Sequence, residues 1–362
     1  MTNQSTKRWR RAKVKINQEA LSSNLSRVRE YATHSKIMAV IKANAYGHGM
    51  LSVAKVLLDA DMFAVAMPGE AYALRNDGCK KPIIVLHGFS NIAELQEFSA
   101  LGISSVVHQQ WQLDCLLEAK LDSPIDCWLK IDTGMHRLGI KVDEVSAYYN
   151  QLKVCFNVAE VFLMTHFSNS DDTVNINNYN QLSCFIKSTS NIEEDCSMSN
   201  SAAIMRLTKS HFDVVRPGIM LYGSSPFDGV SAAELGLSAV MQFESILIDI
   251  KEVKAGESIG YGSTFTCEKD TLVGVVAAGY GDGYSRHAKS GTPVWLNEVR
   301  CPLVGRVSMD SLCVDLTGVT ASIGDRVVLW GDELSVDEVA SSCDTISYEL
   351  LCSAGAAYSA NR

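Results

Sequence analysis

The sequence predicts an α/β chain: a (β/α)8 TIM barrel followed by a smaller, mostly β domain. Three observations carry this. Short apolar runs recur eight times before about residue 216, with helical stretches between them, which is the grammar of a parallel sheet closed on itself. After about residue 236 the grammar changes to β-type runs separated by glycine- and aspartate-rich turns. No GxGxxG follows the first strand, which counts against an open doubly wound sheet.

Residues 11–17 (RAKVKIN) alternate polar and apolar and read as a strand, and residues 18–32 have helical spacing through Leu21, Leu25 and Val28. The eight barrel strands are expected at residues 37–41, 63–66, 83–86, 105–107, 127–131, 159–164, 196–198 and 212–215. Helices are expected between them at 51–59, 71–76, 92–101, 109–119, 142–152 and 179–189. The β domain reads as strands at 241–250, 271–278, 293–296, 302–307, 311–316 and 326–329, with helices only at 335–341 and 347–352. The domains are thus 1–235 and 236–362, with the boundary between 227 and 237. The N-terminal strand, residues 11–17, is a candidate to join the β domain.

The chain has 362 residues, enough for two domains, and a formal net charge of −9. That balance argues for solubility and against a nucleic-acid surface. The basic cluster Lys7-Arg8-Trp9-Arg10-Arg11 reads as a solvated arm. No apolar segment follows it, so a secretory signal is not expected, and no run is long enough to span a membrane. The eleven cysteines are scattered, which suits reduced thiols in a cytoplasmic protein. Without a CxxC or HExxH pattern, no metal site is expected.

The chain is organised around SKIMAVIKANAYGHG, residues 35–49. Its apolar half is a strand buried on both faces, and Lys42 stands at the carboxyl end. A lysine there either snorkels to solvent or is desolvated toward a neutral amine, able to form a Schiff base with an aldehyde. The same mouth collects polar residues from other strand ends: Lys130 and Asp132 after strand five, His166 after six, Asn200 and Ser201 after seven, and Arg216 after eight. Arg137 follows in DTGMHR. Each alone also suits a strand end meeting solvent. Ser199-Asn200-Ser201-Ala202 opens a helix, where a serine caps or an anion binds. The loops after strands seven and eight commonly hold phosphate in this fold.

Several stretches together carry a resemblance. AVIKANAYGHG (39–49) resembles the pyridoxal-phosphate signature of the alanine racemase family. LKIDTGMHRLG (129–139), THFSNSD (165–171), SNSAA (199–203), RPGIMLYG (216–223), GYGSTF (260–265) and GRVSMD (305–310) resemble further blocks of that family, in order, and SYELLC (347–352) does so more weakly. The resemblance spans both domains. It implies a pyridoxal 5′-phosphate enzyme that interconverts L- and D-alanine, supplying D-alanine for peptidoglycan. It implies that Lys42 holds the cofactor and is one catalytic base. Tyr46, Asn200, Ser201, Gly218, Ile219 and Tyr222 would lie on the cofactor, mostly about its phosphate. Arg216 would face the pyridine nitrogen with His166 in support. Arg137 would hold the substrate carboxylate, and Lys130 is a candidate for carbamylation, with an unmodified lysine paired to Asp132 as the alternative. Tyr261 would be the opposite base, with Met309 and Asp310 near the substrate, all three reaching over from the second subunit of a homodimer.

Inversion at an amino-acid Cα takes a proton from one face and returns one to the other, so two bases are the simplest apparatus. Three rivals share parts of this pattern: a broad-specificity amino-acid racemase, a pyridoxal-phosphate decarboxylase and a cofactor carrier without turnover. The tail departs from the family, which follows YE-x-x-C with a basic RVP-like stretch; here the chain reads SAGAAYSANR, and Tyr358 sits at a different offset from the tyrosine expected there.

Overall fold

The computed structural model describes residues 10–360. Lys7, Arg8 and Trp9 of the basic arm lie outside the described residues. Eight parallel strands close into a barrel: Lys36–Val40, Met62–Val65, Ile83–Val85, Ser104–Val107, Ile125–Lys130, Val158–Met164, Cys196–Ser197 and Val214–Val215. Closure is made where Lys36 and Ile37 pair with Val214 and Val215. Helices ring the outside of these strands and side chains fill the interior, so the strands are mostly apolar and buried on both faces. Because all strands run the same way, their carboxyl ends share one mouth.

From Met241 the chain is mostly β. The strand Met241–Val253 is the spine of a seven-stranded antiparallel sheet. Its first half pairs with Arg326–Trp330 and its second with Thr271–Val276, the register shifting between Leu247 and Asp249. The N-terminal strand Lys13–Ile16 pairs with the same spine, Lys13 opposite Glu244 and Ile16 opposite Met241. Buried Glu244 joins these elements, taking Lys15 at 2.5 Å and Arg326 at 2.7 Å. The core beneath is aromatic: Trp330 lies 4.6 Å from Phe243 and 6.0 Å from Tyr284, ring centre to ring centre.

Two expectations need correction. The strand expected at 302–307 is instead Val299–Pro302, paired with Pro293–Leu296 in a hairpin. Asn297 and Glu298 both take positive φ, 46° and 65°, which suits the primed turns of hairpins. Three of that strand's four residues face solvent, so it has little apolar signature. The last helix runs over Ser347–Ala360 rather than stopping at residue 352. Its extension is built from small residues that pack closely, a property hydrophobic spacing does not register.

Candidate active site

Lys42 leads into an unusual turn. Ala43, Asn44, Ala45 and Tyr46 all adopt left-handed backbone angles, with φ between 52° and 55°. Each such residue costs about 1–2 kcal/mol against the right-handed form, so the neighbourhood must hold the turn in place. It does so on several sides. The Ala43 amide donates to Glu70 at 2.6 Å. The Asn44 side chain accepts from the Met50 amide at 2.8 Å, opening the helix Met50–Val56. His48 is buried, and its Nδ1 donates to the carbonyls of Ala45 at 2.9 Å and Tyr46 at 3.0 Å. Burial depresses the His48 pKa to about 4, so the imidazole stays neutral. The last helix closes the fourth side: a Cβ on Gly47 would meet the Leu351 carbonyl at 2.4 Å, and one on Gly355 would meet the Gly47 carbonyl at 2.1 Å.

The turn forms one wall of a cavity of about 490 Å³ at the barrel mouth. Lys42, Lys130, Arg137 and Arg216 all line it. Burial lowers the Lys42 pKa and the Arg137 charge lowers it further, opposed by Glu70 and Cys352. Lys130 falls to about 7, through burial first and then Arg216, Arg137 and Lys42. Asp132 does not neutralise it by contact. One Asp132 oxygen accepts the amides of Gly134, Met135 and His136 at 3.0–3.1 Å, and the other faces His136 Nδ1 at 3.1 Å. The alternative of a direct Lys130–Asp132 pair is therefore not what the structure shows.

Arg216 is buried and its guanidinium spans three strand ends. It donates to Ser197 Oγ at 2.6 Å, to the carbonyls of Thr165 at 2.5 Å and Met198 at 3.3 Å, and to His166 Nδ1 at 3.1 Å. Burial lowers even this guanidinium, to about 10. His166 is pushed well below its ordinary value by burial and then by the cations around it, so it stays neutral and accepts from Arg216.

Ser201, Gly218 and Ile219 form another part of the lining. Ser201 Oγ accepts the amides of Gly218 at 2.9 Å and Met220 at 3.4 Å. The turn Ile219–Tyr222 begins there, so its first amides lie outside the turn's own ladder. A Cβ on Gly218 would meet the Tyr46 hydroxyl at 2.6 Å, so only glycine leaves this space open. Asn200, not a serine, caps the helix Ser201–Arg206, accepting from the Ala203 amide at 3.1 Å. Tyr222 departs from expectation. It is buried behind Tyr46, stacked at 4.7 Å, and its hydroxyl donates to the Val40 carbonyl at 2.9 Å.

The structure adds cavity residues that the sequence reading did not single out: His87, Leu138, Tyr348 and Cys352. Tyr348 and Cys352 come from the last helix, and the Tyr348 ring lies 5.8 Å from that of Tyr46. The weak SYELLC block was the available signal. Tyr261, Met309 and Asp310 are not on this cavity wall. They lie on the β unit and are exposed, Tyr261 at 70% and Met309 at 54%.

Comparison with known proteins decides the family. The family model for the alanine racemase N-terminal domain matches residues 16–226, and that for the alanine racemase C-terminal domain matches residues 240–361. The chain belongs to the alanine racemase family. An alanine racemase of Aeromonas hydrophila is 47% identical over 340 residues, 93% of this chain and 95% of that protein. The crystal structure of biosynthetic alanine racemase from Pseudomonas aeruginosa superposes with a TM-score of 0.93 at 40% identity, covering 95% of this chain and 97% of that one. The alanine racemase of Bartonella henselae, solved with covalently bound pyridoxal phosphate, gives a TM-score of 0.86 at 28% identity, covering 96% of this chain and 98% of that one.

Proposed function

We propose that this alanine racemase family chain interconverts L- and D-alanine with pyridoxal 5′-phosphate, as a homodimer with shared sites. The observation that carries the reading is the position of Lys42: a partly buried amine of lowered pKa, lining one cavity with Ser201, Gly218 and a buried arginine. The donor set fits a phosphorylated aldehyde. Lys42 would supply the amine, Ser201, Tyr46 and the backbone at Gly218 and Ile219 would hold the phosphate, and the Gly218 space would vanish with any side chain. Bound there, the cofactor would supply the electron-withdrawing ring that makes an amino-acid Cα–H acidic.

The chain's own residues do the rest. Arg216, which keeps its own proton at neutral pH, would face the ring nitrogen and leave it unprotonated, and neutral His166 fixes the fork of the guanidinium. Arg137 holds the substrate carboxylate. Lys42 moves the proton on one face of Cα, and the partner subunit's Tyr261 moves it on the other. Met309 and Asp310 of the β unit would close the partner's pocket. The exposure of Tyr261 and Met309 supports this, since side chains lent across an interface stand free on the lone protomer. Asn200 serves as the cap behind Ser201, and Tyr222 as the backing of Tyr46.

We place the domain division at 235/236, with the second unit, 236–362, lending the second base. Lys130, near neutral and facing cations, is suited to carbamylation. The product would serve peptidoglycan synthesis. A cytoplasmic setting fits eleven cysteines that all remain thiols. Among the described residues no helix is long and apolar enough to cross a membrane.

Borohydride reduction of the purified protein with peptide mapping, beside an assay for D-alanine from L-alanine, tests this reading. A pyridoxyl group on Lys42 together with D-alanine formation is expected. A label on another lysine would overturn the site.

A further inference from the structure

Arg10 lies 272 residues from Asp282 and 300 from Asp310 in sequence, yet its guanidinium joins both. Nε and Nη2 engage Asp282, the second at 3.3 Å, while Nη2 also reaches Asp310 at 2.5 Å. Asp282 is buried and accepts the Gly279 amide at 3.0 Å, so it is fixed within the turn Tyr280–Asp282. That turn is laced to the 308–310 loop: the Tyr280 amide donates to the Ser308 carbonyl at 3.1 Å, and the Gly281 amide to the Met309 carbonyl at 2.8 Å. A Cβ on Gly281 would meet Arg10 Nη2 at 2.6 Å, so the guanidinium lies tight against the turn. Asp310 is itself exposed, and Arg10 is its one ion-pair partner among the described residues.

We propose that Arg10 is a positioning residue for the substrate pocket: it ties the Asp310 carboxylate to the rigid Asp282 turn and so fixes the Met309–Asp310 edge that each subunit lends its partner. This rests on the proposed place of Asp310 near the substrate. A guanidinium can serve two carboxylates at once through separate N–H groups, whereas a lysine ammonium has no planar fork. The role acts on substrate fit and not on the cofactor, because among the described residues the hydrogen bonds and ion pairs of Arg10 go to Asp282 and Asp310 and Arg10 is not on the cavity wall around Lys42.

The experiment uses the full-length holoenzyme as wild type, Arg10→Ala, Arg10→Lys, Asp310→Ala and the Arg10→Ala/Asp310→Ala double variant, with Arg11→Ala as an exposed neighbouring control. Arg10→Ala is expected to raise KM for alanine about tenfold in both directions, the scale of one charge-assisted hydrogen bond, with kcat within about threefold and the cofactor absorbance unchanged. Arg10→Lys should fall between, Arg11→Ala should match wild type, and adding Arg10→Ala to Asp310→Ala should raise KM no further. If Asp310→Ala raises KM and Arg10→Ala does not, the proposal is overturned while the placement of Asp310 stands. If neither moves KM, the placement of Asp310 falls and the proposal with it. Loss of cofactor absorbance or of melting temperature in Arg10→Ala, without the KM change in Arg10→Lys, would show a merely structural contact and also overturn it.

Discussion

Arg216 lies 3.1 Å from Nδ1 of His166, a contact between a permanent cation and an imidazole that its surroundings keep neutral. The same guanidinium also serves Ser197, Thr165 and Met198, so it spans the ends of three strands. Arg216→Lys keeps the charge and loses the fork. Because the site is buried, partners left unpaired are costly, and a loss of about 2–4 kcal/mol is expected in urea unfolding of the holoenzyme. Racemisation should fall at least about a hundredfold, since the arrangement at the ring nitrogen changes with it. A stability within experimental error of wild type would contradict this account of the fork.

Lys130 should write its own signature on stability against pH. Its folded pKa is about 7, against 10.5 for an unperturbed lysine. Between those values the unfolded chain binds one proton more than the folded chain. Stability must therefore rise with pH across that window, by up to about 1.4 kcal/mol per pH unit from this group, and lose the dependence outside it. Lys130→Met should flatten the slope between pH 7 and 10. The neutral amine is also a nucleophile for carbon dioxide: nitrogen adds to carbon, one proton leaves to solvent, and a carbamate anion faces the surrounding cations. Isotope-labelled bicarbonate should then give a carbamate carbon resonance that Lys130→Met abolishes. An identical spectrum and slope in the variant would rule out both readings.

The sequence was legible where physics leaves a periodic trace. The strand Lys36–Val40 is buried almost end to end, and an apolar run bounded by turn signals is how such a strand reads. The N-terminal strand's alternation was likewise visible, and the strand joins the β domain as expected, although its partner there, Met241–Val253, is set by contact and not by local pattern. What stayed hidden were features set by long-range contact. The left-handed turn is spelled with alanines and an asparagine, and beyond its neighbour His48 it is held by Glu70 and Gly355 from elsewhere in the chain. Tyr348 reaches the cavity only because its helix lies across Gly47. Arg10, read as solvated, is spent on two carboxylates far along the chain.

Gly355 gives that long-range packing a test. Its Cα hydrogens face Gly47, where a methyl would come within 2.1 Å of the carbonyl oxygen. Gly355→Ala gains helix propensity, about 1 kcal/mol in a free helix, yet here it must push the last helix off the Lys42 turn. Overpacking of this kind costs about 1–3 kcal/mol, so a net loss of stability is expected, with weaker cofactor retention on dialysis. Stabilisation by the substitution would mean that the close approach is not maintained in solution.

Gly218→Ala addresses the proposed phosphate site. Gly218 lines the cavity, so a methyl there takes up space that the phosphate would need. It would stand 2.6 Å from the Tyr46 hydroxyl. The fold should survive while pyridoxal phosphate affinity falls at least about tenfold, followed by spectral titration of the stripped protein. Unchanged affinity would move the phosphate elsewhere.

Lys42 and Tyr261 bear on the shared site together. Lys42 lines the cavity, whereas Tyr261 is 70% exposed on the β unit of the same protomer. If each subunit lends its Tyr261 to the other, Lys42→Ala and Tyr261→Phe homodimers are both inactive, because every site lacks one base. In a mixed dimer of the two, one site loses both bases and the other keeps both. Random reassembly of equal amounts should therefore restore about one active site in four, measured as D-alanine formation after dissociation and refolding of the mixture. A base acting within its own protomer predicts no recovery at all, since neither subunit of the mixed dimer would hold the complete pair. Activity persisting in the Tyr261→Phe homodimer at wild-type rate would remove Tyr261 from the reaction altogether.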